Sequence, residues 1–395
     1  MVEQRITIKA ITLFRESNGL FDYDASNYHR CKIKLNEDSI IVRQGENVHS
    51  VHHSSLNNLQ NNPTILALFY KKNRNFMLSS SINKTEGKNW EKPWIVINSL
   101  KTTEYLLSEG DVFRLGKIKF TIKEISGYKQ SEVHRSVLHS KTLQNGGLGG
   151  LVKSKTDLSV PIHLETQIIS NSCRICLLDD NDDLNPLISP CFCTGTMGVI
   201  HIGCLQRWLD SKITQNSHRD VKIYTWRSLN CELCKFKYPN KILVDNKTID
   251  LVIIEKPPTT NYMILESCNN KKKCIHVLNL DDKKVIRLGR GYDSDMRIPD
   301  ISISRNHACI NIRSSGLYIQ DLNSKFGTLI RMKKDICLDL DNKFKIQTGR
   351  SLLKISTSKP WSFFGCLFGC GKIKDSDDEN QRFRNATSDS SSNNL

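Results

Sequence analysis

Short apolar runs separated by Asn, Ser, Gly and Lys clusters recur along the first third of the chain: Ile6 to Leu13, Cys31 to Leu35, Ile40 to Val42, Thr64 to Tyr70, Trp94 to Asn98 and Lys117 to Ile122. In Ile118-Lys-Phe120-Thr-Ile122 apolar and polar positions alternate with the period of two that marks a half-buried strand. Residues 1–126 are therefore expected to form an antiparallel β-sandwich. From 127 to 168 the pattern is lost in Ser, Lys, Gln and Gly, with Gly146-Gly-Leu-Gly-Gly150 at the centre. Such a segment buries too little apolar area to offset its conformational entropy, so a flexible linker is expected. Those glycines do not follow a strand and open a helix, which argues against a phosphate-cradling loop. Within 169–240, Ile202, Leu205, Trp208 and Leu209 fall on one face of a short helix. From Asn261 the β pattern returns, and 241–359 reads as a further β domain, with Ala308, Ile310 and Ile312 alternating. Residues 360–395 open on an apolar patch, Trp361 to Cys370, and end in a Ser, Asp and Asn-rich tail expected to be disordered. The fold class expected is multidomain and mainly β.

The chain's 395 residues suit two to three domains, and 38 % hydrophobic residues suit a globular chain without a large core. Its net charge of +16, from 57 Lys and Arg against 41 Asp and Glu, admits nucleic acid, anionic membrane or phosphorylated partners without choosing among them. Met1 to Arg15 has no apolar signal-peptide core, and no apolar run reaches the ~18–20 residues that span a bilayer. Fourteen cysteines in such a chain point to metal rather than disulfides, in a reducing cytoplasm or nucleus.

Eight of the donors are paired. They read Cys173-x2-Cys176, Cys191-x-Cys193, His201-x2-Cys204 and Cys231-x2-Cys234. Thiolate and imidazole suit tetrahedral zinc, and a tight turn lets each pair offer both donors to one ion. Two Zn2+ ions are expected.

One residue between Cys191 and Cys193, seven between Cys193 and His201, and Trp208 four positions after Cys204 make residues 169–240 resemble the RING-CH zinc finger of E3 ubiquitin ligases. The resemblance implies a cross-brace: Cys173, Cys176, His201 and Cys204 on one ion, Cys191, Cys193, Cys231 and Cys234 on the other. Closed four-ligand sites leave no place for water, so the zinc would be structural. The resemblance also implies a docking surface for a ubiquitin-conjugating enzyme bordered by Ile175, Trp208 and Pro190, with Lys235 placed to steady the loaded ubiquitin. On the residues alone, Trp208 is equally at home in the core. No catalytic nucleophile is implied, because these cysteines are committed to metal. Many relatives carry transmembrane helices after the finger, and this chain has none.

Val285-Ile-Arg-Leu-Gly289-Arg290, Ile303-Ser304-Arg305-Asn306-His307 and Asp321-Leu-Asn-Ser-Lys325-Phe326-Gly327-Thr328 follow in order and resemble a forkhead-associated (FHA) domain. That family is a β-sandwich binding phosphothreonine peptides with loops at one end. The resemblance implies that Arg290 and Ser304 hold the phosphate, that Arg305 faces the peptide backbone and that Lys325 replaces a hydroxyl donor, with His307 bracing the loops. Charge-assisted bonds to a planar guanidinium are the strong ones for such a dianion. Phe326 stands where relatives offer Asn, which puts one backbone contact in doubt. Asp111 to Lys117 resembles the closing segment of the same fold, without an upstream Gly-Arg pair, and Ser50-x2-His53 stands alone. The first domain thus reads as a degenerate copy without a phosphate site. Gly116-Lys-Ile-Lys-Phe-Thr-Ile122 and Gly349-Arg-Ser-Leu-Leu-Lys-Ile355 end the two β regions alike.

Together these features point to a ubiquitin ligase of phosphothreonine proteins, its partners a conjugating enzyme and a phosphorylated substrate. The alternative is a phospho-dependent scaffold with a structural zinc finger. Nucleic acid is not expected as a partner. A membrane is expected only through acylation of Cys366 and Cys370, which would satisfy the two-signal requirement for anchoring.

Overall fold

The computed structural model describes residues 4–14, 20–23, 25–52, 63–73, 75–81, 90, 92–128, 172–244, 247–269, 272–340 and 343–358. The expected linker beyond residue 128, and the expected tail at 360–395 with Cys366 and Cys370, lie outside the described residues. The described chain is mainly β, with one α-helix, Ile202–Asp210.

Period-two patterning does what the sequence expects of it. In Arg5–Leu13, Ile6, Ile8 and Ala10 are buried while Arg5 and Lys9 face out. One sheet holds twelve strands. Its first half runs Thr214–His218, Val221–Trp226, Lys272–Asn279, Tyr262–Asn269, Ile118–Ser126, Val112–Leu115 and Thr328–Arg331. It continues through Trp94–Val96, Lys343–Thr348, Ser351–Ser358 and Arg5–Leu13 to Tyr28–Leu35 at the far edge. Two sheets of five complete the layers, one built around Val285–Gly289, Ala308–Arg313 and Gly316–Asp321, the other around Ser39–Gln44, Thr64–Lys72 and Asn75–Leu78. A single apolar core joins all three sheets, with Ile8, Phe113, Phe120 and Leu265 from the large one, Ile41, Leu66 and Phe76 from one small sheet and Ile310 and Ile319 from the other.

The β-rich regions before and after the finger do not form separate sandwiches at 1–126 and 241–359, because their strands pair with each other. Ile118–Ser126 pairs with Tyr262–Asn269, and in the matching position Ser351–Ser358 pairs with Arg5–Leu13. Glu104–Leu106 joins Gly316–Asp321, as Ile336–Leu338 joins Asn75–Leu78. Trp94–Val96 and Thr328–Arg331 pair at the middle. The two regions have exchanged their closing strands. The cause is in the sequence: an edge strand needs a partner, and two closing segments that both read Gly, basic residue and alternating apolar positions satisfy either edge.

The finger is tied to this body. The hairpin Thr214–His218 and Val221–Trp226, inserted between Cys204 and Cys231, extends the large sheet by pairing with Lys272–Asn279. A second apolar cluster is shared by finger and sheet: Cys204, Leu205, Leu209 and Tyr238 pack with Tyr224, Trp226, Tyr262, Ile264 and Ile275.

His276 lies in this region, 6 % exposed, with its Nε2 3.1 Å from Ser267 Oγ and its ring against Phe120. Burial pushes its pKa down to about 4 from 6.5. The unfolded chain therefore takes up the proton first, so this contribution is complete above pH ~6.5 and is lost as pH falls towards ~4, at most about 3 kcal/mol. Urea unfolding at pH 7 and pH 4.5 should show a smaller loss for His276→Gln than for the parent. Equal losses would contradict the assignment.

Candidate functional site

Two matching knuckles open and close the finger. In the first, the Leu177 amide donates to the Cys173 carbonyl at 2.8 Å and the Cys173 amide to Leu178 at 2.8 Å. In the second, Lys235 donates to Cys231 at 3.0 Å and Cys231 to Phe236 at 2.8 Å. Leu177 and Lys235 both adopt positive φ, 63° and 62°, which turns each chain tightly enough to present two sulfurs to one point.

The eight donors gather into two groups, Cys173, Cys176, His201 and Cys204, and Cys191, Cys193, Cys231 and Cys234, the donor atoms of each lying within 4.8 Å of one another. The groups interleave along the chain as the cross-brace requires. His201 sits at the start of the helix with Nδ1 3.2 Å from Cys176 Sγ, and its Nε2 meets the Asp180 carbonyl, which fixes Nδ1 as the free donor. Cys193 Sγ and Cys231 Sγ are 3.7 Å apart, the edge of a tetrahedron with Zn–S of about 2.3 Å. Burial pushes the thiols up, yet the backbone amides of Cys176, His201 and Ile175 bring Cys173 down to about 6, and those of Cys234 and Leu233 bring Cys231 down to about 5. Thiolates are the form a metal takes. In the metal-free site burial and neighbouring sulfurs hold Cys191, Cys193 and Cys204 above the usual thiol range, so it is donor type and spacing that fit zinc.

Arg174, for which the sequence suggested no role, spans the two groups. It leaves the first knuckle and places Nη1 3.9 Å from Cys191 Sγ and Nη2 3.7 Å from Cys231 Sγ, while donating to the Met197 carbonyl at 2.7 Å and the Tyr238 hydroxyl at 3.1 Å. One guanidinium thereby offsets the charge of the four-thiolate group.

Of the expected docking residues, Ile175 is 45 % exposed on the first knuckle, and Leu233 on the second is 54 % exposed. Trp208 is half-buried, its ring edge-on to Tyr238 and under the Lys212 ammonium, whereas Ile202, Leu205 and Leu209 on the same helix are buried. Lys235 is exposed, its Nζ donating to the Glu232 carbonyl at 2.7 Å. Pro190 is buried, so it offers no exposed contact of its own.

At the other site three loops meet. The Arg290 amide donates to Ser304 O at 3.0 Å and its Nε to Ile303 O at 3.3 Å, while the Lys325 amide donates to Ser304 Oγ at 3.1 Å. Arg290, Ser304 and Lys325 are thus brought together, with Arg290 and Lys325 exposed, and Arg305 is exposed on the central loop. Gly291 N donates to Arg305 O at 3.0 Å, and a Cβ on Gly289 would stand only 2.0 Å from that oxygen, so the approach requires glycine. His307 is fully buried behind the loops, accepting from Ser304 N at Nδ1 and facing the Gly327 carbonyl with Nε2 at 3.3 Å. Burial lowers its pKa, which keeps the ring neutral as that pattern demands. Buried Asp321 accepts from the hydroxyls of Ser324 and Thr328, both at 2.6 Å. The sequence did not disclose Asp22, whose carboxylate lies 3.4 Å from Lys325 Nζ, nor Tyr23 against Gly327.

Comparison with known proteins gives two family matches: the RING-variant domain over residues 173–234 and the FHA domain over 286–349. E3 ubiquitin-protein ligase MARCHF8 of Bos taurus is 32 % identical over 125 residues, 32 % of this chain and 38 % of that protein. MARCHF8 of Homo sapiens is 39 % identical over 66 residues, 17 % of this chain and 18 % of that one. E3 ubiquitin-protein ligase MARCHF7 of Pongo abelii is 42 % identical over 65 residues, 16 % of this chain and 8 % of that one. The chain spans well under half the length of these relatives. A solved structure described as "Structural and functional analysis of phosphothreonine-dependent FHA domain interactions" is 26 % identical, covering 21 % of this chain and 82 % of that one, at a TM-score of 0.13. The chain carries a RING-variant domain at residues 173–234 and an FHA domain at residues 286–349.

Proposed function

We propose that the chain is an E3 ubiquitin-protein ligase that receives a charged ubiquitin-conjugating enzyme on the RING-variant domain and a phosphothreonine protein on the FHA domain. The observation that carries this reading is the fixed link between the two sites. Arg219, at the tip of the finger's inserted hairpin, donates to the Asp293 carbonyl at 3.0 Å and lies 3.1 Å from Asp295, on the loop that follows Arg290. Asp220 beside it pairs with Lys283 at 2.6 Å. A substrate held at Arg290 is therefore held at a set place relative to the finger, and proximity with orientation is what a ligase without its own nucleophile contributes.

Two zinc ions, when bound, close the knuckles and fix the loops of Ile175 and Leu233. Ile175 and Trp208 then anchor the conjugating enzyme, since apolar and aromatic anchors dominate such contacts. Lys235 stands next to this surface, placed to steady the loaded ubiquitin. Arg290 and Ser304 take the phosphate, Arg305 the peptide backbone, and Lys325 lends a charge it already shares with Asp22.

Calorimetry with a phosphothreonine peptide selected from a library, its phosphoserine form and its unmodified form tests the substrate half. Arg290→Ala should lose about ten- to hundredfold in affinity, from about 1.5–3 kcal/mol for a charge-assisted bond. Lys325→Ala should lose less, and its share should fade with salt. A parent that binds all three peptides alike would overturn the pocket. Trp208→Ala should abolish ubiquitin transfer while both zinc ions stay bound. Loss of metal with activity would place Trp208 in the core instead.

A further inference from the structure

The loop that carries Lys325 is backed by a segment from the opposite end of the chain. Phe21 is 4 % exposed and its ring centroid lies 5.1 Å from that of Tyr23. Both rings belong to an apolar cluster with Leu13, Trp94, Val96 and Leu329, all on strands of the large sheet. Tyr23 in turn packs against Gly327, where a Cβ would stand 2.9 Å from its ring. The residue between these two anchors is Asp22. Its carboxylate is thereby carried to the rim of the phosphate loops and lies 3.4 Å from Lys325 Nζ.

Of the cations at this site, Lys325 alone is held by a carboxylate among the described residues; Arg290 Nε donates to the Ile303 carbonyl instead. Phe326 adds a second restraint, its ring centroid 5.7 Å from the same ammonium. The pair is partly solvated, with the Asp22 side chain 30 % and the Lys325 side chain 54 % exposed. An ion pair so placed contributes little to stability, and Phe21 and Tyr23 already anchor the segment. Its effect falls where a second anion arrives. The Lys325 amide donates to Ser304 Oγ at 3.1 Å, which puts this lysine at the phosphate loops.

We propose that Asp22 is a positioning residue that limits phosphopeptide affinity, its carboxylate occupying the ammonium that an incoming phosphate recruits. The inference rests on the phosphothreonine reading of Arg290 and Ser304 and is independent of ligase activity. A dianion at those two residues has to draw Lys325 away from Asp22. Part of the lysine's attraction for the phosphate is therefore offset by the pair that is broken. The first β region, whose sequence holds no Gly-Arg pair, thus sets the strength of the site in the second.

The test is calorimetry of the full chain with a phosphothreonine peptide selected from a library, at ionic strengths of about 0.1 M and about 1 M. At the lower strength Asp22→Asn should bind roughly two- to fivefold more tightly than the parent, the range set by an exposed ion pair. The gain should shrink at the higher strength, and Asp22→Glu, which keeps the charge, should show none. Lys325→Ala should cost more affinity in the Asp22→Asn background than in the parent, because only there does the ammonium turn to the phosphate unopposed. Asp22→Ser serves as a second neutral variant should Asp22→Asn fail to fold. A parent that binds the phosphopeptide while Asp22→Asn binds it equally or more weakly would overturn the proposal and leave the pocket standing. So would a gain that survives high salt or appears with Asp22→Glu, or a cost of Lys325→Ala no larger in the Asp22→Asn background. A parent and an Asp22→Asn chain that both ignore the phosphate would overturn the pocket and this proposal together.

Discussion

Residues 241–358 expressed without the first half of the chain will not yield a stable monomer that binds phosphopeptide at full-chain affinity. The FHA match covers 286–349, yet in the structure its sheets are completed by Glu104–Leu106, Val112–Leu115 and Ile118–Ser126. Removing them strips Phe113, Leu115, Phe120 and Ile122 from the core and bares Met263 and Leu265, all buried. Burying one such side chain contributes about 1.5–3 kcal/mol, so losing four approaches the whole stability of a domain. The fragment's own closing strand, Ser351–Ser358, could reach the bared edge only by giving up its pairing with Arg5–Leu13. Insoluble protein or an exchanged dimer is expected on size exclusion. A cooperative monomer with full affinity would contradict the observed pairing.

Cys231→Ser should have a comparably large effect on the finger. Its sulfur is buried, belongs to the second donor group and lies within reach of Arg174. Zinc binding supplies on the order of 10 kcal/mol of folding free energy in small fingers, and in residues 173–213 it acts beside the apolar cluster that Ile202, Leu205 and Leu209 share with the sheet. Metal analysis of the parent should return two zinc ions per chain. The variant should return no more than one, with rapid proteolysis between 173 and 240. Because the rest of the large sheet is anchored elsewhere, phosphopeptide affinity should fall far less than zinc content. A parent with one ion or none would refute the two-site assignment.

The finger was legible because its information is local: four donor pairs and a tryptophan at fixed spacing suffice. The loops of the second site were legible for the same reason, as Gly289-Arg290 and the segment through His307 each carry their own turn chemistry. What the sequence withheld is long-range. A period of two marks Ile118–Ser126 as a strand but does not name its neighbour, and two closing segments of like pattern leave the choice open. The similar endings at Gly116 and Gly349 were the one hint of exchange. Arg174 bonds to sulfurs 17 and 57 positions away, and Asp22 reaches Lys325 from the opposite end of the chain. No local spacing encodes such contacts. Pro190 shows the reverse case, a residue expected near a surface that packing has buried.

The most direct test of the ligase reading is the rate at which the zinc-loaded full chain discharges ubiquitin from a panel of charged conjugating enzymes. The account predicts that at least one enzyme is stimulated well above its unassisted rate, that Ile175→Ala and Trp208→Ala remove the stimulation with both zinc ions retained, and that a phosphothreonine-bearing acceptor is modified faster than its unphosphorylated form. A zinc-replete chain that stimulates none of the panel would contradict it and leave a phosphopeptide-binding scaffold.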